Sequence, residues 1–368
     1  MSEKSETGTV AETADPGLLK RWNRFRERES FSILATIAFV IVFPLIFTNL
    51  PAYNGYMSLV ELIYIWAIFA IGFDLLLGYT GLLSFGHAIF WGGGAFAAGL
   101  FSANVTGSPL ALVLVGAVVA ILLAVFIGFL SLRRGGIYFA ILTLAFGQMM
   151  YYIFLGPLGE ITGGEDGFTG TNIEPLFGTL GLDQAFAGIL GTLFHDIAYV
   201  FYSVFFLLAI AVAVRIVRSP YGAIFEAIHE NEERVAFVGL NVWRYKLAAF
   251  TISGAFAGVA GALHTIHAEY VAIDSLYWIT SGDIVIMAVL GGVGTVFGPI
   301  TGVIAFLYVE NIVSGEISFW LLVLGLLFVV VVWLFPEGIW GFISDIRSAI
   351  RPGSNGEPER EPEPEGES

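Results

Sequence analysis

Long runs without a charged residue alternate along the chain with short segments that carry the charge. Six of these runs exceed the roughly 18 residues that an apolar helix needs to cross a bilayer. They are 31–60, 75–132, 135–159, 247–268, 284–309 and 317–336. Their apolar residues do not alternate, and a membrane-spanning backbone must satisfy its own hydrogen bonds, so the runs are predicted to form helices. The predicted fold is an all-α polytopic membrane protein.

The positions of Lys and Arg orient these helices, because loops on the cytoplasmic side carry an excess of both. Apart from Lys4, the basic residues fall in 20–28, 133–134, 215–246 and 347–360. Loops without Lys or Arg, expected to face outward, are 51–58, 102–109, 157–196, 268–282 and 310–316. Both termini are therefore predicted to be cytoplasmic.

Counting the helices predicts a break near the end of the chain. Seven spans fit the orientation, namely 31–50, 59–78, 82–101, 110–132, 137–156, 197–217 and 247–267. If 283–309 were one helix, the last span, 317–335, would leave Arg347 outside. The stretch LGGVGTVFGP, 290–299, permits a break, since glycine lacks a Cβ and proline lacks an N–H. Re-entrant halves there bring the prediction to about ten membrane segments.

A second glycine-rich interruption, GYTGLLSFGHAIFWGGG, covers residues 78–94. Broken segments in both halves of a chain are typical of transporters built from repeats, in which the substrate path runs near the breaks. Backbone dipoles and helix N-termini at such breaks suit the charged groups of a substrate. On this basis the predicted path residues are Gly81, Ser84, Gly86, His87, Thr143, Gln148, Gly292, Gly294 and Thr295. The alternative for Gly92–Gly94 is close packing between helices.

Composition agrees with a membrane protein and defines the ends of the chain. Its 368 residues are 57% hydrophobic and 13% charged, whereas soluble domains have about 25% charged residues. We predict a cytoplasmic extension over 1–30, a transmembrane domain over 31–345 and a disordered, acidic, Pro/Glu/Gly-rich tail over 346–368. The net charge of −15, with 3 Lys against 13 Arg, suggests the hypothesis of a halophilic source.

The sequence contains no motif that indicates an enzymatic or metal-dependent function. Cysteine is absent, and no HExxH motif, acidic pair at ligand spacing or GxSxG motif occurs, so no metal site, no catalytic residue and no enzyme activity are predicted. A nucleotide-binding P-loop requires Gly-Lys, and none of Lys4, Lys20 and Lys246 follows a glycine. Transport would then be driven by a separate ATPase, or by an ion gradient acting through an intramembrane carboxylate such as Glu61 or Asp74.

Two ionisable residues near the first interruption have alternative interpretations. Asp74 is expected to reach interfacial water or to cap the GYTG break, with a proton relay as the alternative. His87 is expected to be a hydrogen-bonded histidine at a helix end, with a ligand-binding role as the alternative.

The cytoplasmic loop 218–246 is predicted to contain a short surface helix that begins at Pro220 and stops at Gly239. Its mixture of acids, Arg234 and small apolar residues suits docking on a protein better than binding to anionic lipid. The alternative is a solvated connector. The loop at 157–196 is the long outward loop.

Several motifs in order resemble a known family. They are GYTGLLSFGHAIFWGGGAF (78–96), RRGGIYFAILTLAFGQ (133–148), TGGEDG (162–167), SPYGAIFEAIHENEERVAFVGLNVWRYK (219–246), LGGVGTVFGPITG (290–302) and LFPEG (334–338). Together they are similar to the branched-chain amino acid ABC transporter permease family, and in particular to its LivM-type subunit. Relatives of this type also carry urea or short amides, so the substrate stays open.

The resemblance implies a multi-pass plasma-membrane subunit in a larger assembly. Implied partners are a LivH-like second permease, two ABC ATPase subunits that use ATP and Mg²⁺, and an extracellular amino-acid-binding protein. No cofactor in this chain and no nucleic-acid partner are expected. Residues 221–239 would be the coupling segment that docks on an ATPase, through Tyr221, Glu226, Ala227, Asn231, Glu232 and Gly239. The remaining alternatives are an ion-coupled secondary transporter and a non-transporting scaffold.

Overall fold

The computed structural model describes residues 57–185, 196–316, 319–335 and 338–342. Apart from Ala185 and Asp196, these residues belong to one compact unit. The extension 1–30, the predicted span 31–50 and the tail 346–368 lie outside the described residues, so the location of both termini stays a prediction.

Within the described part of the chain the regular secondary structure is helical, with isolated bridges such as that between Phe168 and Val271. The helices are α1 Met57–Thr80, α2 Ala88–Asn104, α3 Pro109–Ser131, α4 Ile137–Leu155, α5 Gly159–Thr162, α6 Ile197–Val217, α7 Pro220–Glu230, α8 Glu232–Phe237, α9 Val242–Ala268, α10 Trp278–Gly291, α11 Gly298–Tyr308, α12 Ser314–Glu316 and α13 Trp320–Leu334. Short 3₁₀ turns cover Gly164–Asp166 and Ile273–Leu276, and a π-helix covers Val309–Val313.

Five of these helices, α1, α3, α4, α6 and α9, are long and apolar enough to cross a membrane. They match five of the predicted spans, which confirms the all-α polytopic class. The predicted span 82–101 differs, because its helix, α2, begins only at Ala88 and has 17 residues. That length corresponds to about 25 Å, less than the roughly 30 Å of a bilayer core. The total of about ten segments stays a prediction.

Close approaches between glycines position the central helices. A Cβ on Gly94 of α2 would lie 2.5 Å from the carbonyl oxygen of Gly258 on α9, and a Cβ on Gly258 would overlap Ala120 on α3. Small residues let helix backbones pack this closely. The alternative considered for Gly92–Gly94, that glycine permits close packing between helices, therefore applies to Gly94.

Both predicted interruptions of the helical pattern are confirmed. The first glycine break, residues 81–87, follows α1 and begins with Gly81 at φ +69°. The second glycine break, residues 292–297, separates α10 from α11 and has Gly292 at φ +114° and Gly294 at φ +80°. A Cβ disfavours these positive φ values, so glycine allows both turns. The two flanking helices have only 14 and 11 residues, as the predicted pair of short helices requires.

The segment 268–282, expected to be an outward loop, is largely folded back into the protein. Val271, Ile273 and Leu276 are buried and cluster with Ala95 and Phe96 of α2. The scarcity of Lys and Arg predicted the side of the membrane for this segment. The absence of basic residues did not indicate whether the segment packs against the helices, because the burial of its apolar side chains determines that.

Candidate functional site

The first glycine break lies against α4. A Cβ on Gly86 would overlap the carbonyl oxygen of Thr143, and Gly147 of α4 also faces Gly86. Three of the predicted path residues, Ser84, Gly86 and His87, are thereby buried in the break, and Thr143 lies beside them. Gly81, at the start of the break, is exposed.

His87 occupies the position before α2, as predicted for a histidine at a helix end. Its Nε2 atom and the hydroxyl oxygen of Ser253 on α9 are 2.7 Å apart. The rings of Phe73, Phe90 and Phe250 stand edge-on to the imidazole, with centroids 5.1, 5.1 and 5.6 Å away. The histidine is therefore held on one side by a hydroxyl group and enclosed elsewhere by aromatic rings.

Three polar atoms around this break have no hydrogen-bond partner among the described residues. They are Nδ1 of His87, the hydroxyl oxygen of Ser84 and Nε2 of Gln148. Buried polar atoms are generally paired, because an unpaired one costs about 1–3 kcal/mol. All three belong to predicted path residues, and Ser84 and His87 are fully buried.

Ser281, near the start of α10, was not predicted from the sequence. Its hydroxyl oxygen accepts a hydrogen bond from the backbone N–H of Ala88, 2.8 Å away. This N–H belongs to the first turn of α2, where helix donors lack an intrahelical acceptor. A lone serine in an apolar helix gives no sequence signal for such a long-range cap.

The second glycine break is stabilised by its own threonine. The hydroxyl of Thr295 donates to the carbonyl of Gly292 at 3.2 Å and accepts from the N–H of Gly298 at 3.0 Å. Gly338, from the LFPEG motif, also packs on this break, since a Cβ there would overlap the backbone N of Gly292. The predicted path residues thus form two groups, one at each break.

Asp74 connects α1 to the second break. Its Oδ1 atom accepts a hydrogen bond from the N–H of Gly294 at 2.9 Å, and the residue is 1% exposed. The expectation that Asp74 reaches water or caps the GYTG break is therefore wrong. Asp74 and Gly78 lie four residues apart on one helix face. This face packs closely on Gly294, since a Cβ added to Gly78 would overlap the backbone N of Gly294.

Glu61, the other carboxylate considered for ion coupling, is paired at the opposite end of α1. Its Oε2 atom lies 3.1 Å from Nδ1 of His267 on α9. The second ring nitrogen, Nε2, is 3.2 Å from the hydroxyl of Ser58. Glu61 and Asp74 therefore have separate partners.

The coupling segment consists of two short helices. Helix α7 begins at Pro220 as predicted, and the chain turns at Asn231, whose Oδ1 accepts from the N–H of Arg234 at 2.9 Å and caps α8. Ile228, Val235 and Val242 form a buried cluster on the inner side. Hydrophobic packing thus fixes the inner face and leaves the outer face exposed.

The predicted docking residues do not all lie on the outer face. Tyr221, Glu226, Asn231 and Gly239 are exposed. Ala227 is half-buried and packs on the inner cluster, so its part in docking stays a prediction. Glu232 forms an ion pair with Lys246 of α9.

Two exposed apolar residues of the coupling segment were missed. Phe237 is 89% exposed and Val238 is 77% exposed. Their position directly before Gly239 in a polar loop was the available signal.

Partial desolvation and the neighbouring Glu230 carboxylate raise the pKa of Glu226, so this carboxyl group releases its proton less readily than a fully solvated one.

The coupling segment meets the end of α1 and the second break at one place. Nδ1 of His229 donates to the carbonyl oxygen of Gly78 at 2.8 Å. A cleft of about 510 Å³ lies beside this bond, lined by Gly78, Tyr79, Glu226, His229, Glu230 and Gly294. Among the described residues no group of three or more His, Asp or Glu is arranged to hold a metal ion.

Residues 55–332 match the family model described as "Branched-chain amino acid transport system / permease component". The chain is 30% identical over 329 residues to the high-affinity branched-chain amino acid transport system permease protein LivM of Salmonella typhimurium strain LT2. It is 28% identical over 324 residues to the protein of the same name from Escherichia coli strain K12. Each alignment covers 85% of this chain and 75% of the relative. No solved structure matches the chain significantly.

Proposed function

Because the chain belongs to the permease component family of branched-chain amino acid transport systems, we propose that it is a permease subunit of an ATP-driven importer of branched-chain amino acids. It would pair with a LivH-like permease in the plasma membrane and receive substrate from an extracellular binding protein. Two ABC ATPase subunits would bind and hydrolyse ATP with Mg²⁺. The chain itself would be non-catalytic.

The coupling segment is the observation that carries this proposal. Its inner face is fixed by Ile228, Val235 and Val242, while Phe237 and Val238 project outward with little contact. Exposed apolar side chains beside polar ones are typical of protein-binding sites. The other residues of the same ATPase-docking surface would be Tyr221, Glu226, Ala227, Asn231, Glu232 and Gly239.

The substrate path would pass the first glycine break. The unpaired atoms of Ser84, His87 and Gln148 would pair in turn with the ammonium and carboxylate groups of a passing amino acid. Gly292, Gly294 and Thr295 would act at the second break, where a change of backbone conformation opens or closes the path.

The experiment is leucine uptake by proteoliposomes that contain the full assembly with ATP inside. Glu226→Arg and Gly239→Trp should separate ATP hydrolysis from uptake, since both change the docking surface. Glu160→Arg is the control, because it makes the same charge change at an exposed site outside the coupling segment. Coupled transport at the normal rate in both coupling-segment variants would contradict the proposal.

Substitution at the first break tests the path. Ser84→Leu and Thr143→Leu should reduce uptake, because each adds bulk to a buried position beside the break. Ala145→Leu adds similar bulk to an exposed position of α4 and should not. Unchanged uptake and unchanged ATP hydrolysis in both break variants would show that the path runs elsewhere.

The same preparation separates the alternatives. Uptake of urea or short amides in preference to leucine would identify a different substrate for the same machinery. Uptake by the chain alone under an ion gradient would identify a secondary transporter. The bonds that engage Asp74 with Gly294 and Glu61 with His267 give these carboxylates structural roles that do not require ion transfer.

A further inference from the structure

The carboxyl end of α1 is completed by a side chain from the coupling segment. In a continuing helix the carbonyl of Gly78 would accept from the N–H of Leu82, but that N–H donates to the carbonyl of Leu76. The last carbonyls of a helix need such external donors. His229 supplies one through Nδ1, which must carry the proton because its partner is a carbonyl oxygen.

The same turn of α1 holds the second glycine break. Asp74 binds the N–H of Gly294, and Gly78 leaves room for the backbone of Gly294 to approach. The link therefore runs from His229 to Gly78, along one helical turn to Asp74, and from Asp74 to Gly294. Each step is a hydrogen bond or a rigid turn of helix.

The second break has the properties of a hinge at the end of this link. Gly292 and Gly294 both have positive φ values, and glycine changes between backbone regions without a Cβ penalty. The cleft of about 510 Å³ is lined by Glu226, His229 and Glu230 of α7 on one side and by Gly294 on the other. The hydrogen bonds of His229 with Gly78 and of Asp74 with Gly294 therefore connect α7 to the break through α1, beside this cleft.

We propose that His229 and Asp74 are positioning residues that carry movement of the coupling segment through the end of α1 to the second glycine break. The proposal rests on the proposed function, because it requires that an ATPase moves the coupling segment. It specifies which residues transmit the ATPase-driven movement of the coupling segment to the membrane-spanning helices.

Substitutions of His229 test the route in the full assembly. His229→Leu keeps a bulky side chain but has no donor, whereas His229→Asn keeps an N–H donor at a similar distance from the backbone. We expect the maximal rate of uptake to fall about tenfold in His229→Leu, because the part-buried carbonyl of Gly78 loses its donor from α7. The KM for the loaded binding protein should stay unchanged, and His229→Asn should restore most of the rate.

Distances measured between attached labels follow the movement itself. The chain contains no cysteine, so labels attach within this chain only where one is introduced. Ala223→Cys on α7 and Val293→Cys in the second break are each paired with Ile137→Cys on α4, all at exposed positions. On ATP binding both distances should change in the otherwise unaltered chain. In His229→Leu the 137–223 distance should still change, while the 137–293 distance should not.

The outcomes separate this route from the proposed function. Normal uptake in His229→Leu, or a 137–293 distance that changes as before, overturns the route and leaves the importer intact. Absence of ATP-dependent uptake in the unaltered assembly instead removes the proposed function. If His229→Leu fails to assemble, Asp74→Leu breaks the other end of the link and carries the same expectation.

Discussion

Asp74 and Gly294, 220 positions apart, are joined by a hydrogen bond of 2.9 Å between the carboxylate Oδ1 and the backbone N–H. The bond fastens the first long helix to the turn between two short ones. The same helical turn carries Gly78, whose carbonyl accepts from His229, so one turn of α1 binds both the coupling segment and the second break.

Asparagine at position 74 should support transport, whereas leucine should not. Asp74→Asn keeps an oxygen that accepts from Gly294, but Asp74→Leu removes it and leaves the part-buried N–H without this acceptor, at a cost of about 1–3 kcal/mol. We expect leucine uptake near normal in the first variant and about tenfold lower in the second. Loss of uptake in Asp74→Asn would favour a proton-transfer role for the carboxyl group.

Alanine at position 78 should impair transport by forcing α1 away from the second break. Its Cβ would overlap the backbone N of Gly294 and lie 2.5 Å from Oδ1 of Asp74. Overpacking of this kind costs about 1–3 kcal/mol. Gly135→Ala is the matched control, because a Cβ there has no atom within 4 Å. Equal uptake rates in Gly78→Ala and Gly135→Ala would contradict the close contact between Gly78 and Gly294.

Two adjacent glycines of α2 should respond differently to alanine. In Gly94→Ala the new Cβ meets the backbone of Gly258, which cannot move aside, whereas in Gly93→Ala it meets only the end of the Leu123 side chain. We expect Gly94→Ala to lower the thermal unfolding temperature in detergent by several degrees, which corresponds to about 1–3 kcal/mol. Gly93→Ala should cost less than about 1 kcal/mol. If Gly93→Ala instead destabilised the protein more than Gly94→Ala, the backbones of α2 and α9 would not be in the close contact described above.

An acidic residue at position 237 should weaken docking without weakening the fold. Phe237 is almost fully exposed, and exposed substitutions usually change stability by less than about 0.5 kcal/mol. Aromatic anchors at interfaces contribute about 2 kcal/mol or more. Phe237→Asp should therefore reduce co-purification of the ATPases at least about tenfold while the unfolding temperature of the isolated chain stays constant. Undiminished co-purification would place the docking surface elsewhere.

The sequence predicted elements whose cause is local. Runs of apolar residues define the long helices because a helix satisfies its own backbone wherever it lies. Glycines and Pro299 mark the second break because they restrict or release the backbone at their own positions. The inner face of α7 was also within reach, since Gly222, Phe225 and Ile228 recur every three residues.

Contacts between distant residues could not be predicted in the same way. A carboxylate at position 74 is compatible with water, a proton or a backbone N–H, and only the packing of α1 on Gly294 selects among them. The ion pair of Glu232 with Lys246 and the cap that Ser281 gives Ala88 are of the same kind. One chain of this composition permits many such pairs, and the local sequence favours none of them.

The sequence by itself determined that this chain is helical, belongs in a membrane and is interrupted twice by glycine, because hydropathy and backbone freedom are properties of neighbouring residues. The tertiary structure alone decided that the segment 271–276 folds back onto α2, that Asp74 binds the second break, and that His229 contacts the end of α1. Those arrangements depend on which helix faces approach one another, and close packing of the whole unit sets that approach.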